Sequence, residues 1–400
     1  MDQGPNTGSL PAQPFFSTPQ QRLALARQRY FEEGVRPSGL VSENVIQSWS
    51  RCVQSHRDPV EHIAFNPVTP SRIHSALSRS QLLLHAAATD LTQLEMTLAG
   101  TACTAILTDA QGVVVHSTRS AADHGEVLLP LARRIGVSLD EEHIGTGAPG
   151  ITLRTGKPNL VLGGEHFFGG MQVLHCAAAP IRDVHGRIAA VLDVTSESRP
   201  FGFDAAAVVG LFATTIENRL LQAQSTEHIV VHLQTSPSLL GTPMEGLAGL
   251  DPNGGIAWVN NVGARLLGMA QDQAGLTAEA VFGMDAHRFA RLTRESGATM
   301  QRLPNGLNVW LAARMHSRDG TRSLHPLRSA ATVGVGSSAE LESTASASPP
   351  PGTLRDNDRH VIERTLQACA GNVSKAARTL GVSRGLIYRH LKQATPPKPG

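Results

Sequence analysis

Apolar and polar positions recur along this chain with two different periods, and each change of period marks a structural boundary. Two amphipathic helices are expected first: PQQRLALARQRYFEEG, stopped by Gly34, and SENVIQSWSRCVQSH, with Ser42 as its N-cap. Thr69 or Ser71 then opens a helical stretch to Gly100. Its apolar residues Ile73, Leu77, Leu84, Leu91, Leu94 and Leu98 recur at three-, four- and seven-residue steps. A helix of that length can form a dimer seam or pack on its own domain, and the pattern leaves both open.

From Thr101 the period shortens toward two. TACTAILTDAQGVVVHS reads as two strands around an Asp109–Gly112 turn. Further strands are expected at Pro158–Leu162, Val173–Pro180 and Ile188–Val194, with a turn at Asp183–Gly186 and a closing helix, FDAAAVVGLFATTIENRLLQAQ. Strands enclosed by helices predict an α+β unit with an antiparallel sheet. A second, smaller α+β unit begins near Leu239, with a strand, a Pro-Asn-Gly-Gly turn, a second strand and a short helix in MEGLAGLDPNGGIAWVNNVGARLLGM, then a strand in GLNVWLAARMHS. VGVGSSAELESTASASPPPG is a linker by composition, and helical order returns at Leu354.

The expected architecture is thus a multidomain α+β chain. It has a 1–19 segment disordered by composition, a helical region at 20–69 and a sheet domain with its leading helix at 70–225. A smaller α+β domain at 238–322, a linker at 323–353 and an all-α helix-turn-helix at 354–393 complete it.

The C-terminal part carries the clearest chemistry. LRDNDRHVIERTLQACA places Val361, Ile362, Leu366 and Cys369 on one face, as a support helix, with Asp356 and Asp358 in its first turn. Asn372 caps a second helix, Gly381 permits a left-handed turn, and Ser383 caps the last helix, RGLIYRHLKQ. A major groove admits one such helix. Arg384 and Gly385 stand where base edges are read, Tyr388, Arg389, Lys392, Ser374 and Lys375 suit phosphates, and Ser383 counts with them as a DNA-binding residue. Charge agrees: Leu354–Gly400 holds nine Lys/Arg against three Asp/Glu, a net +6 in a chain of net +2. Double-stranded DNA is the expected partner.

The remaining composition narrows the alternatives. Four dispersed cysteines without a CxxC pair exclude a zinc-ribbon spacing and read as buried reduced thiols, and no metal or other cofactor is expected. No secretory signal and no apolar run of about twenty residues occurs, so a cytoplasmic protein without membrane association is expected. His143, His166, His175 and His185 invite metal or acid–base chemistry, but no pair has helical ligand spacing, and an enzyme is not expected. A pocket lining is the better functional reading for some of them, with Phe167, Phe168, Met171 and Cys176 as apolar wall, while ordinary core packing remains open for each.

GN-x3-AA-x2-LG-V-S-R-x2-IY-R-x-LK resembles the Fis-type helix-turn-helix of bacterial enhancer-binding activators. The body resembles the acetoin-catabolism and dihydroxyacetone-operon regulators of that group. VIQSWSRC is similar to their N-terminal signature, while SLDEEHIGTGAPGITLRTGKP and EHFFGGMQVLHCAAAPIRDVHGRIAAVLDVTS are similar to their GAF sensor domain. GLDPNGGIAWVNNVGARLLG resembles part of a PAS domain. The resemblance implies a GAF-like sheet domain and a PAS-like domain, and the candidate effector contacts are His143, Thr146, His166, Phe167, His175 and Cys176. A homodimer on an inverted repeat is expected because one recognition helix reads too few base pairs; the support helix and the Ser71–Gly100 helix are the available dimer surfaces, and the resemblance favours the former.

Two departures stand out. Thr146-Gly147-Ala148 replaces the family's usual Thr-Asn-Ala, and no G-x4-GK-[ST] phosphate loop of the family's AAA+ ATPase occurs. The expected function is sequence-specific transcriptional regulation under a small-molecule effector, without ATP hydrolysis and through RNA polymerase. The alternative is an adaptor that pairs with a full-length AAA+ sigma-54 activator paralogue.

Overall fold

Three hairpins in this protein are closed by the same chemistry, and they set the registers of its two sheets. Asp109, Asp183 and Asp251 each use Oδ1 to accept two backbone N–H groups, two and four residues onward. Each is followed three positions later by a glycine at φ +81, +73 or +82 (Gly112, Gly186 and Gly254). An Asx turn fixes the chain reversal, and glycine accepts the left-handed backbone without steric strain.

The computed structural model describes residues 18–118, 125–226, 228–269, 275–295 and 297–315. The helix-turn-helix with Ser374, Lys375, Ser383, Arg384, Gly385, Tyr388, Arg389 and Lys392, the linker at 323–353 and nearly all of segment 1–19 lie outside the described residues. Both sheets belong to one unit of the chain.

Helix α1 (Pro19–Arg27) continues as a π-helical turn at Gln28–Glu32, and Gly34 at φ +66 follows it. Helix α2 (Glu43–Gln54) starts where Ser42 Oγ accepts from Val45 N–H at 3.4 Å. The expected continuous helix over Ser71–Gly100 is two helices, α3 (Pro70–Arg79) and α4 (Gln81–Leu98). Ser80, at ψ 2, breaks the helical ladder. The break frees α3 to hold Ile73 against Gly136 while α4 lies on the sheet and on the last helix of the domain. Leu77 and Leu84 therefore belong to separate helices, and the apolar stripe is not one straight seam.

The first sheet comprises β1 (Cys103–Asp109), β2 (Val114–Ser117), β3 (Asn159–Leu162), β4 (Leu174–Arg182) and β5 (Ile188–Glu197). Helices α5 (Leu129–Ala132), α6 (Glu141–Ile144) and α7 (Ala148–Thr155) interrupt it, and α8 (Ala205–Gln224) closes it. The order is β2-β1-β5-β4-β3, antiparallel throughout. Both faces are covered, so β1 is buried along its whole length and β5 over all but its first two residues, rather than alternating with solvent. One face (Cys103, Leu107, Ala177, Leu192, Val194) packs under α4 and α8. The other (Ile106, Cys176, Ala178, Val191) packs under α1, α2, α7 and the loops between β3 and β4. The helical region at 20–69 is thus a wall of the first sheet's core: Trp49, fully buried, donates from Nε1 to the Glu165 carbonyl at 2.8 Å.

The second sheet begins before the expected boundary at 238. Strand β6 (Ile229–Gln234) follows α8 after a few residues and forms the sheet's middle. Around it stand β7 (Gly246–Leu250), β8 (Ile256–Val259), β9 (Thr299–Arg302) and β10 (Asn308–Met315) in the order β8-β7-β6-β10-β9. Helices α9 (Asn261–Leu267), α10 (Ala278–Phe282) and α11 (Ala286–Leu292) cover one face, with Phe282 and Phe289 in contact at 5.2 Å. On the opposite face Val230, Leu247 and Trp258 meet Leu221 of α8.

A single amide ties the two sheet domains together at that seam. Asn260 Oδ1 accepts from Gly263 N–H (2.7 Å) and Leu247 N–H (2.9 Å), and its Nδ2 donates to Asn218 Oδ1 on α8 (2.8 Å) and to the Glu245 carbonyl (3.0 Å). Asn260→Ala removes the α9 cap and strands buried donors and acceptors together. A loss of about 2 kcal/mol in urea denaturation is expected; an unchanged midpoint would refute this role.

Candidate functional site

The inner face of the first sheet carries more polarity than a core needs. Strand alternation brings Asp193 and Thr195 of β5 to the same side as Cys176 of β4 and Ile106 of β1. These residues border a small cavity of about 20 Å³, room for about one water, together with His166, Leu174, Met171 and the Gly147–Pro149 turn. Asp193 is only 1% exposed. Its Oδ2 accepts from Thr195 Oγ1, while Oδ1 has no partner among the described residues. Burial pushes its carboxyl up to about 7, with the Thr195 hydroxyl pulling in the opposite direction. Thr104 and Thr108, on the same face of β1, also hold buried hydroxyls without partners. A buried polar atom left unpaired is destabilising, and of these groups only Asp193 borders the cavity.

His166 supplies the second polar wall. It is fully buried, and burial lowers its pKa to about 4, so the ring is neutral near pH 7. Nδ1 lies 2.9 Å from the Gly163 carbonyl, an acceptor only, which places the proton on Nδ1. Nε2 is then an acceptor facing Cys176 Sγ at 3.6 Å, and burial raises that thiol well above its ordinary value, keeping it protonated. The pair is a neutral thiol–imidazole contact without a thiolate nucleophile.

Arg27 holds the loop bearing His166. Its guanidinium donates to the carbonyls of Gly164 (2.9 Å), His166 (2.8 Å) and Phe167 (3.2 Å) and lies over the Phe31 ring, 4.7 Å from its centroid. Burial lowers its pKa from the ordinary arginine value. On the far side of the cavity, Ser48 of α2 contacts Thr146 Oγ1 at 2.7 Å, and Arg51 grips Glu141 through Nε and Nη2 at 2.5 and 2.7 Å. The N-terminal helices therefore anchor both loops around the cavity.

The expected effector residues separate in the structure. His166 and Cys176 line the cavity, and Thr146 stands beside it, bonded to Ser48. Phe167 lies behind, stacked edge-on against Phe168 and Phe31 at 5.0 and 5.5 Å. His175 faces the opposite side of the sheet, against Phe201, and burial lowers its pKa. His143 is half exposed on α6 and pairs with Asp140 at 2.6 Å. His143 and His175 are therefore removed from the cavity: one sits on an exposed helix, the other is turned away by the pleat. Gly147, where the family has asparagine, is the N-cap residue of α7 and offers no side-chain acceptor there. Asp193, Thr195 and Arg27 carry the site without having been singled out by sequence. Among the described residues no cluster of three His, Cys, Asp or Glu side chains could hold a metal ion, and no helix is long and apolar enough to cross a membrane.

Two parts of the chain match known families. Residues 18–211 match the MimR N-terminal domain, and residues 353–393 match the helix-turn-helix of the Fis family of bacterial regulatory proteins. A regulator's N-terminal domain joined to a Fis-type DNA-binding module is the class this chain represents. In these two parts it is similar to the MimR and acetoin-catabolism regulators.

The propane 2-monooxygenase operon transcriptional activator MimR of Mycolicibacterium smegmatis is 29% identical over 311 residues, 74% of this chain and 48% of that protein. The acetoin catabolism regulatory protein of Cupriavidus necator is 30% identical over 228 residues, 56% of this chain and 34% of that protein. The chain thus spans about half the length of the MimR relatives it matches. These relatives are named as regulators and not as enzymes. The E. coli DhaR(N) structure, solved with DhaL, covers 69% of this chain and 100% of its own at 14% identity and a TM-score of 0.43.

Proposed function

We propose that the chain is a DNA-binding transcriptional regulator controlled by a small molecule held beneath the first sheet. The observation that carries this reading is the coexistence, in one chain, of a Fis-family helix-turn-helix at 353–393 and a sheet domain whose inner face buries the Asp193 carboxyl, where the present space of about 20 Å³ must widen to admit an effector. An effector acts by binding two arrangements of the protein unequally. The loops at Gly163–Met171 and Asp140–Gly147, tied to α1 and α2, are where such a difference would register. The second sheet domain, PAS-like in GLDPNGGIAWVNNVGARLLG, is assigned the relay between sensor and DNA-binding module. Regulation proceeds without ATP hydrolysis, since no phosphate-loop motif lies between residues 211 and 353. It acts through RNA polymerase or beside a full-length AAA+ relative.

The DNA-reading part has a direct test. Arg384→Ala is expected to relax sequence preference, costing about 1–3 kcal/mol at the base it contacts. Lys392→Ala is expected to weaken all sequences alike and to flatten the salt dependence. Genome-wide mapping of bound DNA followed by footprinting of both variants supplies the measurement. Unchanged binding in both would discard the DNA-reading role. A homodimer on an inverted repeat is the expected species, because one recognition helix contacts too few base pairs to be selective in a genome.

A further inference from the structure

Two openings along the seam between the two sheet domains are far larger than the cavity beneath the first sheet. Two clefts of about 610 and 520 Å³ share Arg182 and Glu217. Either falls in the size range of small-molecule sites. The second cleft is built from both domains. α8 contributes a floor of small residues (Ala207, Gly210, Thr214), and Leu211 and Met244 flank it from opposite sides while 49% and 52% exposed.

Its charge is one-sided. Lys157, from the loop before β3, and Arg265, on α9, border the cleft from the two different domains. Both are exposed, and neither has an acidic partner among the described residues. Arg182 adds a third cation, held in place by donation to the carbonyls of Gly156 (2.7 Å) and Gly186 (3.0 Å). The one acid in the lining, Glu217, accepts from the Arg182 backbone N–H at 2.8 Å, and burial pushes its carboxyl up to about 7, which reduces its negative charge near neutrality. Exposed apolar walls with unpaired cations from both sides specify an anionic headgroup on an apolar tail.

We propose that this cleft binds an amphiphilic organic anion, a carboxylate bearing a short aliphatic chain, with the carboxylate between Lys157 and Arg265 and the chain along Leu211 and Met244. Such a ligand would bridge the two sheet domains beside the Asn218–Asn260 link and hold them as one body. This site is separate from the cavity beneath the first sheet and does not depend on that cavity's assignment.

Calorimetric titration of the full chain with octanoate at physiological salt tests it. Octanoate is expected to bind, while acetate (charge without chain) and octanol (chain without charge) bind at least tenfold more weakly. The exposed double variant Lys157→Glu/Arg265→Glu is expected to weaken octanoate at least tenfold, and Leu211→Asp to do the same from the apolar side. Asp193→Asn, in the other cavity, is expected to leave octanoate binding unchanged. Three results would each overturn the proposal: no octanoate binding, equal binding to the charge-reversed variant, or loss of binding in Asp193→Asn alone.

Discussion

Arg27→Ala is expected to be among the most destabilising single substitutions in the first sheet domain, lowering its stability by about 3–5 kcal/mol. Three carbonyls of the loop over the cavity, those of Gly164, His166 and Phe167, lose a charged donor at once. The Phe31 and Trp49 rings lose the guanidinium lying over them. Arg27→Lys is expected to recover only part of the loss, because a single ammonium cannot reproduce the planar fork that serves three acceptors. Urea denaturation followed by tryptophan fluorescence reads the effect in a background where Trp258 and Trp310 are replaced by Phe, since the remaining Trp49 indole is bonded to the same loop at Glu165. Wild-type stability in Arg27→Ala would show that the loop is held by its aromatic packing alone.

The second large effect is on pH dependence. Asp193 has a native pKa raised to about 7 from 3.8, so the folded state keeps a proton that the unfolded chain releases. Its contribution to stability is therefore full below the unfolded value and is lost as pH rises from about 4 through about 7. A shift of that size corresponds to on the order of 4 kcal/mol. Glu165 and Glu217, both pushed up to about 7 by burial, act in the same direction. His166, lowered to about 4, acts oppositely: its contribution is lost as pH falls from about 6.5 through 4. Three carboxyls outweigh one imidazole, so the protein is expected to lose stability between pH 5 and pH 8. Asp193→Asn, neutral throughout, is expected to flatten that slope and to exceed wild type at pH 8. Parallel stability curves for the two proteins between pH 5 and 8 would contradict the buried-carboxyl account.

Local signals in the sequence locate most of the elements. The Asp-x-x-Gly turns at Asp109, Asp183 and Asp251 and the caps at Ser42 and Thr69 stand where the pattern puts them, because each is decided by interactions within four residues. The break at Ser80 was not legible, since no glycine or proline marks it and its cause is the packing of α3 and α4 on different neighbours. β6 escaped for a related reason: IVVHLQ is a short run directly after a long helix, and only its partners β7 and β10 make it a strand.

For the site, one correction was available from the sequence itself. His175 and Cys176 are adjacent on an expected strand, and adjacent strand residues point to opposite faces, so both could not line one cavity. Asp193 also had a signal, a lone acid in the apolar run AAVLDVTSE, where a charged side chain demands a reason. Arg27 had none. Its role depends on carbonyls that come near it only in the folded chain.

The order β8-β7-β6-β10-β9 also bears on how this protein is made. On the ribosome β6 emerges first of its sheet, yet it is the strand that must be flanked on both sides. β7 follows soon and can pair as a hairpin neighbour, but the other edge of β6 stays open until Asn308–Met315 has been synthesised. During that interval the growing chain presents Ile229–Gln234, an apolar strand with one edge of unpaired amides, next to the completed first domain. That is the period in which mispairing between nascent chains is most favoured, and in which a chaperone that covers strand edges would have most to do.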